Sequence, residues 1–356
     1  MRYFTLIALA YMTMSCSATK NIDKRNFELI IQSQDVNRSW PRGFSRPHYV
    51  YLGDIYGERN LTEIKQQHEG ILSKLWSLLT GNINKEPIAL KRPQGIISDK
   101  KGMLYISDVS HQGVFAIDTV NGTLKLWKSA GKNTHFNTPI GIALIDDNEL
   151  LIADAELGYI VRLDVQGKPI GLIKHDSLMR PTGIVFVKEQ QLIYVSDTSN
   201  DDIKVFNRQG ELLRVIGKSI NDKLSLNAPT FLAQHPQGLL ISDTLSAQVK
   251  LIKPNESADA LSVIFGKRGM KLGNLTRPKG VASDSAGNVY IIESYFDHLL
   301  VFNDKGQFLL PLGGTGYGAG EFYLPSGIWI DDRDRIYIAD MMNGRISVFQ
   351  FLGGNE

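Results

Sequence analysis

A proline opens an apolar segment six times along this chain of 356 residues, at intervals of 42 to 49 residues. After the prolines the same succession recurs: a Gly-Ile or Gly-Val step, a polar turn, a strand that ends in an acidic residue, and a second strand that ends in Val-Phe or a similar pair. Self-similarity at this period, with short strands and no helical pattern inside the unit, predicts one four-stranded blade per repeat and a propeller overall. The six prolines are Pro93, Pro139, Pro181, Pro229, Pro278 and Pro325.

The clearest copies run from Pro278 to Phe302 and from Pro325 to Phe349. The second copy contains Pro-Ser-Gly-Ile, Tyr-Ile-Ala-Asp and Asn-Gly-Arg-Ile-Ser-Val-Phe in this order. These motifs resemble the NHL repeats of β-propellers, and the resemblance spans residues 88–352. It implies an all-β, six-bladed β-propeller. The Gly-His and Trp-Asp signatures of the WD40 type are absent from the sequence, which argues against that class.

A closed ring of blades needs every outer strand, and the sixth repeat ends too early to supply its own. The segment Tyr49–Ile55 stands ahead of the first proline and alternates like a strand. We therefore predict that it is the outer strand of the last blade. A blade shared between the two ends of the chain closes the ring and removes an exposed sheet edge.

Residues 1–16 have the pattern of an export signal: a basic start, an apolar run over residues 3–14 that is too short to span a bilayer comfortably, and then Cys16. Cys16 is the sole cysteine of the chain. Its position resembles the lipobox of bacterial lipoproteins, in which this thiol is acylated, although Thr13 and Met14 stand where leucine and a small residue are usual. We predict an exported, membrane-anchored lipoprotein of the bacterial cell envelope, in the outer membrane or periplasm. An ordinary signal peptide is the alternative.

Two segments lie between the signal and the repeats. Residues 17–45 lack sustained periodicity and are predicted to be a tether for a propeller that spans residues 46–356. Residues 57–87 are predicted to be a helical insertion, because Asn60-Leu-Thr-Glu resembles a capping box and apolar positions follow at helical spacing as far as Gly81. The apolar stripe of this helix is expected to pack against the propeller, near the mouth of its channel; docking of a partner or a membrane is the alternative.

Composition argues against nucleic-acid binding, since the net charge is only +2 and no Lys/Arg run alternates with aromatic residues. The seven histidines fall at unrelated phases of the repeat, and no pair has the spacing of metal ligands on a helix. The glycine-rich run at 313–320 leads into a strand, whereas phosphate-binding loops open a helix. No cofactor is therefore predicted.

Strand direction predicts the face on which a ligand binds. In each blade the innermost strand begins, the second strand ends and the connection to the next blade starts on the same face, and the loops there stand on a rigid frame. Peptidylglycine amidating lyases resemble this repeat but carry Pro-His at several of these positions, where the histidines hold a metal. None of the residues that follow the prolines here is histidine; they are Gln94, Ile140, Thr182, Thr230, Lys279 and Ser326.

An acidic residue ends the second strand of every repeat. A carboxylate beside a turn readily accepts backbone N–H bonds and so fixes the loop that follows, and its presence in all six repeats favours this structural role over a catalytic one. The six are Asp108, Asp154, Asp197, Asp243, Glu293 and Asp340.

The fifth and sixth repeats carry the chemically densest loops of this face, and we predict the ligand or partner surface there. Its residues are Lys279, Glu293, Tyr295, Phe296, His298, Met341, Met342 and Arg345. The sequence favours a non-enzymatic binding or scaffold protein of the cell envelope that presents this face to a protein partner or other envelope component. The alternative is a metal-dependent, lactonase- or lyase-like propeller enzyme that uses Ca or Zn, since six-bladed relatives of that kind exist.

Overall fold

The computed structural model describes residues 25–31, 39–41, 47–63, 86–217, 224–254 and 260–353. Within these ranges the regular structure consists of β-strands and two single-turn 3-10 helices, at Glu58–Asn60 and Thr244–Ser246. In the same ranges no helix is long and apolar enough to cross a membrane. Four strands precede the first repeat: β1 Arg25–Phe27, β2 Ser39–Trp40, β3 Tyr49–Ile55 and β4 Leu61–Glu63.

Each of the first three repeats folds into one antiparallel sheet whose strand order follows the sequence, with the proline opening the innermost strand. Blade 1 contains β5 Pro93–Ser98, β6 Met103–Asp108, β7 Gly113–Asp118 and β8 Thr123–Trp127. A short hairpin, β9 Ser129–Gly131 and β10 Thr134–His135, leads to blade 2, which contains β11 Pro139–Ile145, β12 Glu149–Asp154, β13 Tyr159–Asp164 and β14 Pro169–Ile173. Blade 3 contains β15 Pro181–Val187, β16 Leu192–Asp197, β17 Asp202–Asn207 and β18 Leu212–Ile216.

The last three repeats continue the same pattern. Blade 4 contains β19 Pro229–His235, β20 Gly238–Asp243, β21 Gln248–Lys253 and β22 Ala260–Phe265. Blade 5 contains β23 Pro278–Ser283, β24 Val289–Glu293, β25 His298–Phe302 and β26 Phe308–Gly313. Blade 6 takes only three strands from the repeat, β27 Pro325–Ile330, β28 Arg335–Asp340 and β29 Arg345–Phe351.

The fourth strand of blade 6 comes from the start of the described chain. Strand β3 pairs antiparallel with β29, with Ile55 opposite Ile346 and Tyr49 opposite Phe351. The sheet order is β2-β3-β29-β28-β27, so the two ends of the propeller share one blade. The prediction that Tyr49–Ile55 closes the ring is confirmed, and the fold is an all-β, six-bladed propeller.

The tether prediction is wrong for the described part of residues 17–45. Strand β1 pairs with β4, and β2 adds a fifth strand to blade 6. Trp40 is buried there and its ring meets that of Phe349 edge-on, at 5.4 Å between centroids. These segments therefore belong to the folded body. Their role was missed because each is too short to show a period.

The predicted capping box is also wrong, because the residues that would begin the helix form β4 and pair with Arg25–Phe27. Asn60 instead accepts hydrogen bonds from the backbone N–H groups of Tyr56 and Gly57 and donates to the carbonyls of Glu28 and Asp54. The remainder of the helical insertion, residues 64–85, lies outside the described residues, as do the signal segment and Cys16.

Burial explains the strand sequences. The middle strands are covered on both sides by neighbouring blades, so β12 is buried at every position and is apolar between its terminal Glu149 and Asp154. The outer strands have one solvent-exposed face, and β18 alternates half-buried and exposed residues along most of its length. The core thus consists of apolar layers between adjacent blades.

A glycine two residues after the proline lets adjacent innermost strands approach each other. A methyl group on Gly141 would lie 2.1 Å from the carbonyl oxygen of Thr182 in blade 3, and one on Gly327 would lie 2.1 Å from that of Gln94 in blade 1. Blade 4 departs from this pattern, because Phe231 occupies the position. The Gly step predicted for the repeat is therefore wrong in blade 4.

Candidate functional site

The two faces of the propeller differ in what they carry. In every blade the proline lies opposite the acidic residue that ends the second strand, as Pro93 does opposite Asp108 and Pro325 opposite Asp340. The connections between blades start on the same side, because the last residues of the outer strands pair with residues next to this end. We call this side the post-proline face and the other side the turn face.

The acidic residues hold the connections of the post-proline face in place. All six are buried and accept backbone N–H bonds from the segment that leads into the innermost strand. Asp108, for example, accepts from the N–H groups of Lys91 at 2.7 Å and Arg92 at 3.0 Å. The structural role predicted for these carboxylates is confirmed.

Two of the predicted surface residues are buried and do not face a ligand. Glu293 is 1% exposed and accepts N–H bonds from Thr276 and Tyr295; burial raises the pKa of its carboxyl group. Arg345 is fully buried between Asp54 and Asp340, with both ion pairs at 2.8 Å. Their assignment to the ligand surface is wrong, since Glu293 is hydrogen-bonded and Arg345 is ion-paired inside the blades.

Other predicted residues do reach the surface. Tyr295 is 58% exposed and Met342 is 45% exposed, each in the loop that follows an acidic residue. Phe296 is half-buried and packs edge-on against Tyr295, at 4.9 Å between centroids. Met341 is half-buried in the loop after Asp340, and His298 is half-buried at the first position of β25.

Several exposed apolar residues of the post-proline face were missed by the sequence analysis. They lie in inter-blade connections or in loops after the acidic residues, where an apolar side chain interrupts polar and glycine-rich sequence. That interruption is the signal that would have found them. The missed residues are Met179, Leu245, Met270, Leu272 and Tyr317.

The mouth of the central channel lies at the centre of this face and is lined by the residues that follow the prolines. Most of them are buried and hydrogen-bonded, as Ser326 is through its Oγ to Oε1 of Gln94 at 2.9 Å. Lys279 is different: it is half-buried, and no described residue forms an ion pair with it. Burial, with the charges of Arg277 and Arg180, lowers the pKa of its ammonium group.

Below the mouth the channel is apolar. A cavity of about 240 Å³ runs between the innermost strands and is lined by side chains such as Ile142, Phe186 and Trp329. It continues to the turn face, where Asp99 and Asp331 stand among other charged residues. Over the described ranges no group of three or more His, Cys, Asp or Glu side chains is placed to hold a metal ion.

Comparison with known proteins adds the following. A family described as "6-bladed beta-propeller" matches residues 279–355. RING finger protein nhl-1 of Caenorhabditis elegans is 32% identical over 77 residues, which are 22% of this chain and 8% of that protein. Human NHL repeat-containing protein 3 is 26% identical over 171 residues, 44% of this chain and 48% of that protein. The chain is a six-bladed β-propeller whose repeats are similar to NHL repeats.

Solved structures share the fold of this six-bladed propeller at low sequence identity. Virginiamycin B lyase from Staphylococcus aureus is 16% identical with a TM-score of 0.54, over 73% of this chain and 95% of the lyase. A gluconolactonase from Xanthomonas campestris is 17% identical with a TM-score of 0.55, over 73% and 86%. An auxiliary nutrient binding protein from Bacteroides ovatus is 15% identical with a TM-score of 0.58, over 74% and 70%. These likenesses show the architecture alone, which enzymes and binding proteins share.

The matched regions also set the scope of the comparison. The propeller covers less than two thirds of the length of either curated relative.

Proposed function

We propose that this propeller is a non-enzymatic binding or scaffold protein of the cell envelope that meets a protein partner through its post-proline face. The observation that carries the proposal is the distribution of exposed apolar side chains. Among the described residues, seven large ones lie in the loops of this face between the end of blade 2 and blade 6, and an eighth, Ile88, lies in the segment that leads into blade 1. The seven are Met179, Leu245, Met270, Leu272, Tyr295, Tyr317 and Met342.

The chemistry of this set fits a protein interface. Methionine and aromatic side chains are enriched at interface centres, and exposed apolar patches on one side of a soluble fold mark interaction sites. The loop that carries Tyr317 is held in place by two contacts. Tyr317 packs on Tyr323 at 5.8 Å between ring centroids, and Arg345 donates to the carbonyl oxygen of Tyr317. A rigid loop loses little conformational entropy on binding.

The proposal is tested by native co-purification from cells that produce the protein. The double variant Tyr295→Ala/Met342→Ala should recover the partner at least about tenfold less than the parent, since central interface residues each contribute more than 1 kcal/mol. The matched control is Ile170→Ala/Leu172→Ala, two exposed residues of the outer strand of blade 2. A partner that survives the first change and is lost with the second would refute the proposed face.

Envelope localisation is part of the proposal and rests on the apolar run and Cys16 of the N-terminal segment. If Cys16 is acylated, Cys16→Ser should move the full chain from the detergent-extracted membrane fraction to the soluble fraction. Two acyl chains or more are needed for stable attachment, so a multiply acylated cysteine is the form we expect. Unchanged membrane partition of the variant would contradict lipid anchoring.

The enzyme alternative, a metal-dependent lactonase- or lyase-like propeller, has less support from the site. The six carboxylates at the strand ends, which are its most obvious acid–base and cation-binding groups, already accept backbone hydrogen bonds. Metal analysis of the protein after dialysis separates the two functions. Stoichiometric Ca or Zn would favour the enzyme.

A further inference from the structure

The connection from blade 4 to blade 5, residues 266–277, lies on the post-proline face, and its own backbone fixes its conformation. A parallel bridge joins Arg268 to Leu275, and an equivalent bridge closes the next connection around the ring, residues 313–324. Met270 lies between the two bridged residues and is 78% exposed. Its side chain therefore projects from a preformed loop, which loses little conformational entropy on binding.

The same connection concentrates positive charge. Residues 260–283 contain five lysine or arginine residues and no aspartate or glutamate. Lys267, Arg268 and Lys271 are exposed, and none of them forms an ion pair with a described residue. By contrast, residues 313–324 contain one glutamate and no lysine or arginine. We call the connection from blade 4 to blade 5 the basic connection.

Apolar side chains adjoin these charges. Arg268 donates from Nη2 to the carbonyl oxygen of Leu245, in the loop that follows the acidic residue of blade 4. Leu245, Met270 and Leu272 are each more than half exposed. Basic and apolar side chains thus share one small surface, which is complementary to a partner that carries carboxylates next to apolar side chains.

We propose that the basic connection binds an acidic segment of the protein partner, in which aspartate or glutamate alternates with apolar residues. Carboxylates of this segment accept charge-assisted hydrogen bonds from Lys267, Arg268 and Lys271, while its apolar side chains contact Met270 and Leu272. The inference rests on the proposed function and names the chemistry of the partner.

The distribution of charge favours a protein segment over a membrane surface. An anionic bilayer is an extended plane of negative charge, so it attracts a face whose cations are spread across it. Tyr317 is exposed on the same face, but the connection that carries it holds no cation. Positive charge confined to one connection fits a localised acidic segment.

Fluorescence anisotropy of the full chain with a labelled synthetic peptide, in which glutamate alternates with leucine, tests the site. The parent should bind this peptide more tightly than the counterpart with lysine in place of glutamate, and added salt should weaken binding because it screens exposed charges. Lys267→Glu/Lys271→Glu should weaken binding about tenfold or more, since two attractions become repulsions. The matched control is Lys100→Glu/Lys101→Glu, which makes the same change in net charge at exposed positions of the turn face.

A second variant, Met270→Ala/Leu272→Ala, separates this surface from attraction by charge alone. It should weaken peptide binding about fivefold or more, the scale of a buried apolar interface contact. Three results would overturn the inference: no binding by the parent, equal effects of the two charge-reversing variants, or unchanged binding by the apolar variant. The melting temperatures of these variants should stay close to that of the parent, because the changed residues are exposed.

Two further measurements identify the occupant. Sedimentation with phosphatidylglycerol vesicles would overturn the inference if the chain binds them through Lys267 and Lys271 and does not bind the glutamate peptide. Co-purification separates the inference from the proposed function. A partner lost with Tyr295→Ala/Met342→Ala but retained with Lys267→Glu/Lys271→Glu would leave the post-proline face as the interface and remove only the acidic segment.

Discussion

Arg345 and Asp54 are 291 positions apart in the sequence, and Nη1 of the arginine donates to Oδ2 of the aspartate at 2.8 Å inside blade 6. The same guanidinium group donates from Nε to Asp340 and from Nη2 to the carbonyl oxygens of Gly318 and Glu321. The pair thus ties the strand from the start of the propeller to the last repeat. This buried ion pair lies at the point where the ring closes.

Removing this ion pair should destabilise the whole propeller. Arg345→Ala leaves two buried carboxylates without their cation, which typically costs about 3–5 kcal/mol. Arg335→Ala is the control in the same blade, because Arg335 pairs with Asp331 while 38% of its side chain is exposed, and exposed pairs contribute about 1 kcal/mol or less. Urea denaturation measures both. Equal losses of unfolding free energy in the two variants would show that the buried ion pair does not stabilise the closure of the ring.

The N-terminal strands should matter as much as the closing strand. Trp40→Ala removes a buried ring that packs on Phe349, and we expect a loss of about 3–5 kcal/mol in the free energy of unfolding. Tyr317→Ala, an aromatic residue that is 69% exposed, should change it little. Thermal melting of both variants provides the comparison; a Trp40 variant as stable as the parent would mean that β2 does not support blade 6.

The glycine missing from blade 4 has a consequence for Ser242. In blade 1, Ser107 Oγ accepts from the N–H of Gly95 and donates to the carbonyl of Ile140. Ser242, which also directly precedes the acidic residue of its blade, is fully buried, and its Oγ has no hydrogen-bond partner among the described residues. Phe231 stands where blade 1 has its glycine.

Alanine substitution should therefore separate the two serines. Ser107→Ala should lower the free energy of unfolding by about 1 kcal/mol or more, because it leaves backbone groups unpaired. Ser242→Ala should be neutral or stabilising, since it removes a buried hydroxyl that forms no hydrogen bond with any described residue. Chemical denaturation in parallel decides it, and equal destabilisation by the two changes would contradict this account.

Asp340 should make stability depend on pH. Desolvation by burial raises the pKa of Asp340 to about 6, although Arg345 and the hydrogen bonds from Tyr323 and Asn343 act in the opposite direction. The pKa of an aspartate in the unfolded chain is about 3.9. Between this pKa and that of the folded state, Asp340 keeps a proton in the folded state that it releases in the unfolded state. The contribution of this group to stability therefore falls as pH rises from about 4 to about 6, by at most roughly 3 kcal/mol.

The measurement is the free energy of unfolding at pH 4.5 and at pH 7 for the parent and for Asp340→Asn. The asparagine does not titrate, so the parent should lose more stability than the variant over this range. Parallel pH profiles would show that Asp340 titrates in its ordinary range.

Much of the fold could be predicted from the sequence because each repeat contains residues that mark where its strands begin and end. Proline begins each innermost strand, an acidic residue ends each second strand, and six copies in phase leave little freedom in the architecture. Tyr49–Ile55 was recognisable from alternation alone. Arg345 was misplaced because its partner Asp54 lies at the far end of the chain, and no local pattern shows that a charged residue is buried.

The site was harder to predict for the same reason. Exposure of Met179 or Tyr317 depends on how connections from different blades pack, which no single repeat encodes. The lowered pKa of Lys279 depends on burial and on Arg277 and Arg180, which lead into blades 5 and 3. Residues that act through long-range neighbours are visible only once the ring is assembled.

Site-specific photo-crosslinking in cells that produce the protein tests the proposed binding face most directly. A photoreactive phenylalanine analogue is placed at Tyr295 on the post-proline face or at Val120, which is 71% exposed on the turn face. We predict that Tyr295 gives a discrete protein adduct and that Val120 does not. An adduct from Val120 with none from Tyr295 would show that the partner meets the opposite side of the propeller, and would contradict the proposed function at its centre.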